Sequence, residues 1–180
     1  TLGIVQEHAA WLKDKAKERH YPFLNKKEYL GGAELHPQLN FVYATLPELD
    51  EPFIAQLKDD ATAVLLIDTY NAHGMAEQRR LFFELLAKEC PVPVIIGRAY
   101  SDIPNDALVL ESSTDIGPLL IDGLGDGIFI ADEKGGREDL VCRTAFGILQ
   151  ATRTRTSKTE YISCPSCGRT LFDLQETTAK

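Results

Sequence analysis

Apolar and polar positions change rhythm along this chain, and the change predicts its elements. From residue 39 onward, short apolar runs alternate with longer charged segments of helical period, the pattern of a parallel sheet wrapped by helices. Residues 39–44, 63–68, 92–97, 107–110 and 125–130 read as five strands. Pro93 predicts that the third lies at an edge or pairs only beyond the proline. Between the strands, a short helix opens at Glu51 and runs to Leu57, and residues 76–88 place Leu81, Leu85 and Leu86 on one apolar side. Ser112, Ser113, Thr114 and Asp115 can cap a short helix running to Leu120. The last helix spans residues 138–151. Ahead of this alternation, Leu2, Val5, Ala9, Leu12 and Ala16 fall at helical spacing and predict one amphipathic helix over residues 2–19. Residues 21–35 hold Pro22, Gly31 and Gly32 and read as a loop with one helical turn near residues 26–29. The expected fold is α/β: a partial TIM-barrel-like or open parallel sheet with flanking helices.

Composition narrows the class. With 180 residues and 44% hydrophobic content the chain is long enough for one real core. No apolar run approaches membrane-spanning length and no secretory leader is visible, so neither a membrane nor export is expected. Four cysteines without a pairing framework suit a reducing cytoplasm. A net charge of -8 argues against a nucleic-acid-binding body. That charge is uneven: residues 153–180 hold five basic against three acidic side chains, leaving fourteen basic against twenty-four acidic in residues 1–152. The shift falls on the Ser/Thr/Arg-rich run 152–159 and divides the chain into residues 1–152 and 153–180. Thr1 in place of an initiator methionine, and an end at Lys180 inside a helical-looking run, suggest a piece of a larger protein.

The chemistry concentrates near the carboxyl end. Cys164 and Cys167 flank Pro165 and Ser166, and Gly168 follows. This tight turn can aim two thiolates at one zinc ion or iron-sulfur centre. Two thiolates are half of a four-ligand site, so the pair is either completed from elsewhere, an exposed pair, or a redox dithiol. Cys90, at a helix end, and Cys142, on an apolar helical face, read as buried small hydrophobes. His8, His20, His36 and His73 are scattered without ligand spacing. Loops after the strands offer Asp68 with Thr69, Tyr70 and Asn71; Arg98 with Tyr100; Glu111 with Ser112 and Ser113; and Asp122 with Asp126. The glycines of residues 123–127 read as a tight turn, since the two aspartates disfavour a phosphate. No catalytic acid-base pair is assigned within residues 1–152.

Read whole, residues 159–175, with Thr159, Glu160, Tyr161, Cys164, Pro165, Cys167, Gly168, Arg169, Leu171 and Phe172 in order, resemble the start of the iron-sulfur domain of 4-hydroxy-3-methylbut-2-enyl diphosphate synthase. Residues 115–128 and 145–155 resemble that family's approach to the domain, and residues 1–110 more loosely its extra middle domain in plants and some bacteria. The resemblance implies an iron-sulfur oxidoreductase of non-mevalonate isoprene and terpenoid biosynthesis. In it a 4Fe-4S cluster is held by three cysteines and a glutamate, Cys164 and Cys167 being the first two ligands and the others lying beyond Lys180. It further implies a cyclic diphosphate substrate, ferredoxin or flavodoxin as electron donor, and compatibility with a homo-oligomer. The middle domain would then be a scaffold of barrel-like form, and this piece alone would be inactive and without cluster. The chief alternative from another class is a scaffold module with a zinc knuckle, followed by a redox dithiol at Cys164 and Cys167.

Overall fold

Six strands hydrogen-bond in the order in which they occur in the sequence, and all run parallel. They are β1 (Ile4–Glu7), β2 (His20–Asn25), β3 (Asn40–Ala44), β4 (Ala63–Ile67), β5 (Val94–Tyr100) and β6 (Gly127–Asp132). The helices between and after them are α1 (His8–Asp14), α2 (Lys26–Leu30), α3 (Glu51–Asp59), α4 (Met75–Ala87), α5 (Asn105–Ile121) and α6 (Glu138–Ala151). This computed structural model describes residues 3–160 and Glu176.

Strand order fixes the shape. Each βαβ crossover between neighbouring parallel strands is right-handed, so crossovers that always step the same way deliver their helices to the same face. The residues agree. Leu24, Val42, Leu65, Ile67, Ile96 and Ile130 project to that face and are buried against Phe53, Leu57, Leu81, Leu85, Ile116, Leu119 and Ile148 in a single core. The alternate positions, Phe23, Phe41, Tyr43, Leu66, Ile95 and Phe129, lie outside that core on the other face. Register carries the alternation across the sheet, with Phe23 beside Phe41, Tyr43 beside Leu66, Leu66 beside Ile95, and Gly97 beside Phe129. Rings meet there edge to face, Tyr21 on Phe41 at 6.4 Å, and tilted, Phe23 on Tyr43 at 6.1 Å. The result is a curled half-barrel of α/β type whose concave side encloses a cavity of about 330 Å³ against Val5, Phe23, Phe41, Leu66, Ile95 and Phe129.

Local signals set the helix starts. The Asn25 side chain and the Glu28 side chain cap α2 reciprocally, and Asp50 accepts from the Phe53 amide at 3.1 Å to start α3, with Pro52 in its first turn. Gly97 is required on the concave side of β5, because a Cβ there would stand 2.7 Å from the Ile67 carbonyl oxygen and 2.8 Å from Leu66 Cδ2.

Three sequence expectations are corrected. Residues 4–7 and 20–25 are strands, not an amphipathic helix and a loop. The helical spacing over residues 2–19 is shared between β1 and α1, whose Trp11 is buried and donates its Nε1 proton to the His20 carbonyl at 3.0 Å. Residues 107–110 are not a strand. They lie inside α5, a continuous 17-residue helix. Ser112, Ser113 and Thr114 therefore cap nothing; their hydroxyls donate back to the Leu108, Val109 and Leu110 carbonyls at 2.6, 2.6 and 3.1 Å. β5 is an interior strand that pairs from Val94, just past Pro93, as one branch of the sequence reading anticipated.

Candidate functional site

At the carboxyl ends of β4 and β5 a cluster of polar side chains is bonded to itself and to the backbone. Arg98 leaves β5 on its helix-covered face. Its Nε donates to Asp115 Oδ2 of α5 at 2.8 Å, one terminal nitrogen donates to the Thr69 carbonyl at 2.9 Å, and the other reaches the Asn71 and Ala72 carbonyls at 3.1 and 3.2 Å. Asp115 also accepts from the Tyr100 hydroxyl at 3.1 Å and, through Oδ1, from the Gly74 amide at 3.1 Å. The guanidinium lies 5.4 Å from the centre of the Tyr100 ring. Burial, and then the Asp115 charge, push the Tyr100 hydroxyl above its usual range. With all three of its nitrogens bonded, Arg98 fastens the β4–α4 loop to α5.

Asp68 ends the neighbouring concave face. Its Oδ1 accepts from the Thr69 amide at 2.8 Å, and burial raises its carboxyl above the ordinary value despite the nearby Arg98 charge. Tyr43 and Tyr70 approach hydroxyl to hydroxyl at 3.5 Å, with the Tyr70 side chain otherwise exposed, and burial followed by Tyr70 raises the Tyr43 hydroxyl. Thr69 and Asn71 both donate to Glu77.

The other sequence candidates are elsewhere. Glu111, Ser112 and Ser113 sit in the middle of α5. Asp122 and Asp126 lie before β6, at the amino end of the sheet: Asp126 Oδ2 accepts from the Val94 amide at 2.8 Å, and Asp122 pairs with Arg79. The four groups therefore do not converge. Cys90 is buried just past α4, as expected, whereas Cys142 is exposed on α6. α6 turns Val141, Ala145 and Leu149 to the core, and Cys142 falls outside that stripe. His8 bonds the Glu34 carbonyl at 2.9 Å, His20 meets Gln6 at 2.9 Å, and His36 Nδ1 accepts from the Gln38 and Leu39 amides. Among the described residues no three or more His, Cys, Asp or Glu side chains are grouped to hold a metal ion. Cys164 and Cys167 lie outside the described residues.

The approach to those cysteines is nonetheless well defined, and sequence reasoning missed it. Beyond α6 the chain folds back: the Thr154 and Arg155 amides donate to the Leu149 carbonyl at 3.0 and 3.1 Å. Gln150 then holds the outgoing strand, its Oε1 accepting from the Ser157 and Lys158 amides at 3.1 and 2.9 Å, its Nε2 donating to the Lys158 carbonyl and Glu160 at 3.0 and 3.1 Å. Arg153 pairs with Glu160 at 2.6 Å, and Arg155 lies 5.3 Å from the centre of the Phe146 ring. A single glutamine in a helix gives no sequence signal for such a clasp. No helix among the described residues is long and apolar enough to cross a membrane.

No family model matches the chain. Among curated proteins it is similar to the 4-hydroxy-3-methylbut-2-en-1-yl diphosphate synthase (flavodoxin) of Parabacteroides distasonis, 48% identical over 143 residues that make up 79% of this chain and 23% of that protein. The enzyme of the same name from Bacteroides thetaiotaomicron is 38% identical over 160 residues, 89% of this chain and 26% of that one. The 4-hydroxy-3-methylbut-2-en-1-yl diphosphate synthase (ferredoxin), chloroplastic, of Arabidopsis thaliana is 40% identical over 165 residues, 87% of this chain and 22% of that protein. The chain spans about a quarter of the length of the curated relatives it matches.

Proposed function

Because this chain is homologous over most of its length to one stretch of the 4-hydroxy-3-methylbut-2-en-1-yl diphosphate synthases, we propose that it works as part of such an enzyme, its body a scaffold and its carboxyl end the start of the cluster-binding domain. The observation that carries the reading is continuous similarity over 160 or more residues to bacterial and plant synthases alike.

The reaction is the two-electron reductive ring opening of 2-C-methyl-D-erythritol 2,4-cyclodiphosphate to 4-hydroxy-3-methylbut-2-enyl diphosphate. The ring carbon–oxygen bond breaks, a hydroxyl leaves as water, and two electrons and two protons enter. Flavodoxin or ferredoxin is the donor, by analogy with the relatives' names. A 4Fe-4S cluster, when bound, supplies the electrons one at a time. Cys164 and Cys167 suit it as soft thiolate donors and account for half of a four-ligand set; the resemblance to the family puts the other two, a cysteine and a glutamate, beyond Lys180. A cysteine-held cluster also suits a reducing compartment such as the cytoplasm.

Residues 1–152 have the structural part. Arg98 is buried and bonded through all three nitrogens to Asp115 and the loop carbonyls, which supports a structural part for it and leaves substrate binding to other parts of the enzyme. Residues 153–160 are tied to α6 through Gln150 and Arg153, which supports a second domain, residues 153–180 and beyond, starting from this helix.

Anaerobic preparation of the full-length protein tests this. Iron and labile sulfide are expected, with both contents and turnover lost when Cys164 or Cys167 becomes serine. One zinc ion without sulfide, or full iron content in both serine variants, overturns the reading.

A further inference from the structure

α5 and α6 lie side by side and leave between them an open groove of about 700 Å³. Its walls are apolar or small: Val109, Gly117 and Ile121 from α5, Leu140, Gly147 and Ala151 from α6. At 1.5 Å per residue it runs roughly 18 Å along the helices. Ile121 at its end is 71% exposed, and neighbouring Leu110 is 65% exposed. The glycines make it deep. A Cβ on Gly147 would meet no atom within 4 Å, and one on Gly117 only Thr152 Cγ2 at 3.9 Å.

We propose that this groove is the seat of the polypeptide that follows Glu160, the module that begins with Cys164 and Cys167. The path of the chain supports this occupant. Residues 155–158 run beside Cys142 and Phe146 on the adjacent face of α6, and Arg143 borders both that strip and the groove. Gln150 and Arg153 then hold Glu160 against the same helix. The module therefore starts within reach of the groove. The sequence that follows Glu160 offers apolar side chains suited to such a groove, Tyr161, Ile162, Leu171, Phe172 and Leu174, and an acid, Asp173, opposite in charge to Arg143 on the groove's rim. The relatives are about four times the length covered here. The proposal deepens the function above and rests on it for the existence of that module.

The test is a photo-crosslinking amino acid at position 121 of the full-length protein, with peptides mapped after irradiation. Crosslinks are expected within the same chain to residues beyond Glu160. Gly147→Trp, which fills the groove without touching the core, should lower their yield about tenfold, equivalent to about 1.4 kcal/mol of docking. Gly147→Ala should leave the yield unchanged. Crosslinks to polypeptide ahead of this region, crosslinks between isotopically distinct chains, no crosslink, or a yield insensitive to Gly147→Trp overturns it. The readout involves neither iron nor turnover, so a zinc-binding module would sink the enzyme reading and leave this result standing.

Discussion

Arg98 Nε and Asp115 Oδ2 stand 2.8 Å apart, with side chains only 5% and 6% exposed, and they join the end of the interior strand β5 to the middle of α5, the longest helix among the described residues. A buried pair of this kind is weak evidence of net stability, because both charges were desolvated to make it. Removing one partner is another matter, since the survivor is left charged and unpaired.

Arg98→Leu and Asp115→Leu are therefore each expected to cost about 3–5 kcal/mol in urea unfolding. The double variant should recover part of that loss. Arg98→Lys should behave more like the leucine variant than like the parent, because an ammonium cannot span Asp115 and three carbonyls at once. Equal stability of all single variants and the parent would contradict the clasp.

Asp68 gives a pH dependence of opposite sign to the usual carboxylate. Burial raises its folded-state pKa above the ordinary 3.8, so the folded protein binds this proton more tightly than the unfolded chain does. The cost is absent below the unfolded value and grows as pH rises through the folded one. Asp68→Asn should accordingly raise the melting temperature at pH 7, and the gain should vanish in acid. A gain that persists unchanged at pH 3 would show that proton binding is not its source.

The two faces of the sheet should differ sharply in their tolerance of truncation. Leu65→Ala, on the helix-covered side where Leu65 is fully buried, is expected to cost about 2–5 kcal/mol. Phe129→Ala removes a larger side chain that is 49% exposed on the concave side, and should cost less than Leu65→Ala in this chain. Chemical denaturation of both variants decides it; the reverse order would mean that the concave face is packed.

Thiol labelling separates the two described cysteines. In a Cys164→Ser, Cys167→Ser background, Cys142 should react with a thiol reagent at once and Cys90 only on unfolding. Simultaneous labelling of both in native buffer would contradict the burial of Cys90.

The carboxyl-terminal body was the legible part. α3, α4 and α6 carry charge between apolar positions at helical period, and Asp50, Pro52, Glu138 and Asp139 sit where helix starts want them. Ala107, Leu108, Val109 and Leu110 misled for a physical reason: four apolar residues in a row have no period, and only Leu108 of the four is fully buried in the helix they join. β1 and β2 were hidden differently. β1 is four residues long and mostly exposed, so burial never imposed an alternation on its sequence. Arg98 was visible as a candidate, but its role was not, since Asp115 lies 17 positions away and nothing local links the two. For the proposed cluster ligands the sequence alone speaks, through the spacing of Cys164 and Cys167.

The agreement between chain order and strand order has a further effect on how the protein is made. Each new strand emerging from a ribosome finds one partner already in place, one helix back, so assembly can proceed unit by unit without waiting for distant sequence. Among the described residues, growth of this sort leaves an unfilled hydrogen-bonding rim at both terminal strands, β1 and β6, and whatever adjoins them must shield those rims against fusion with stray chains.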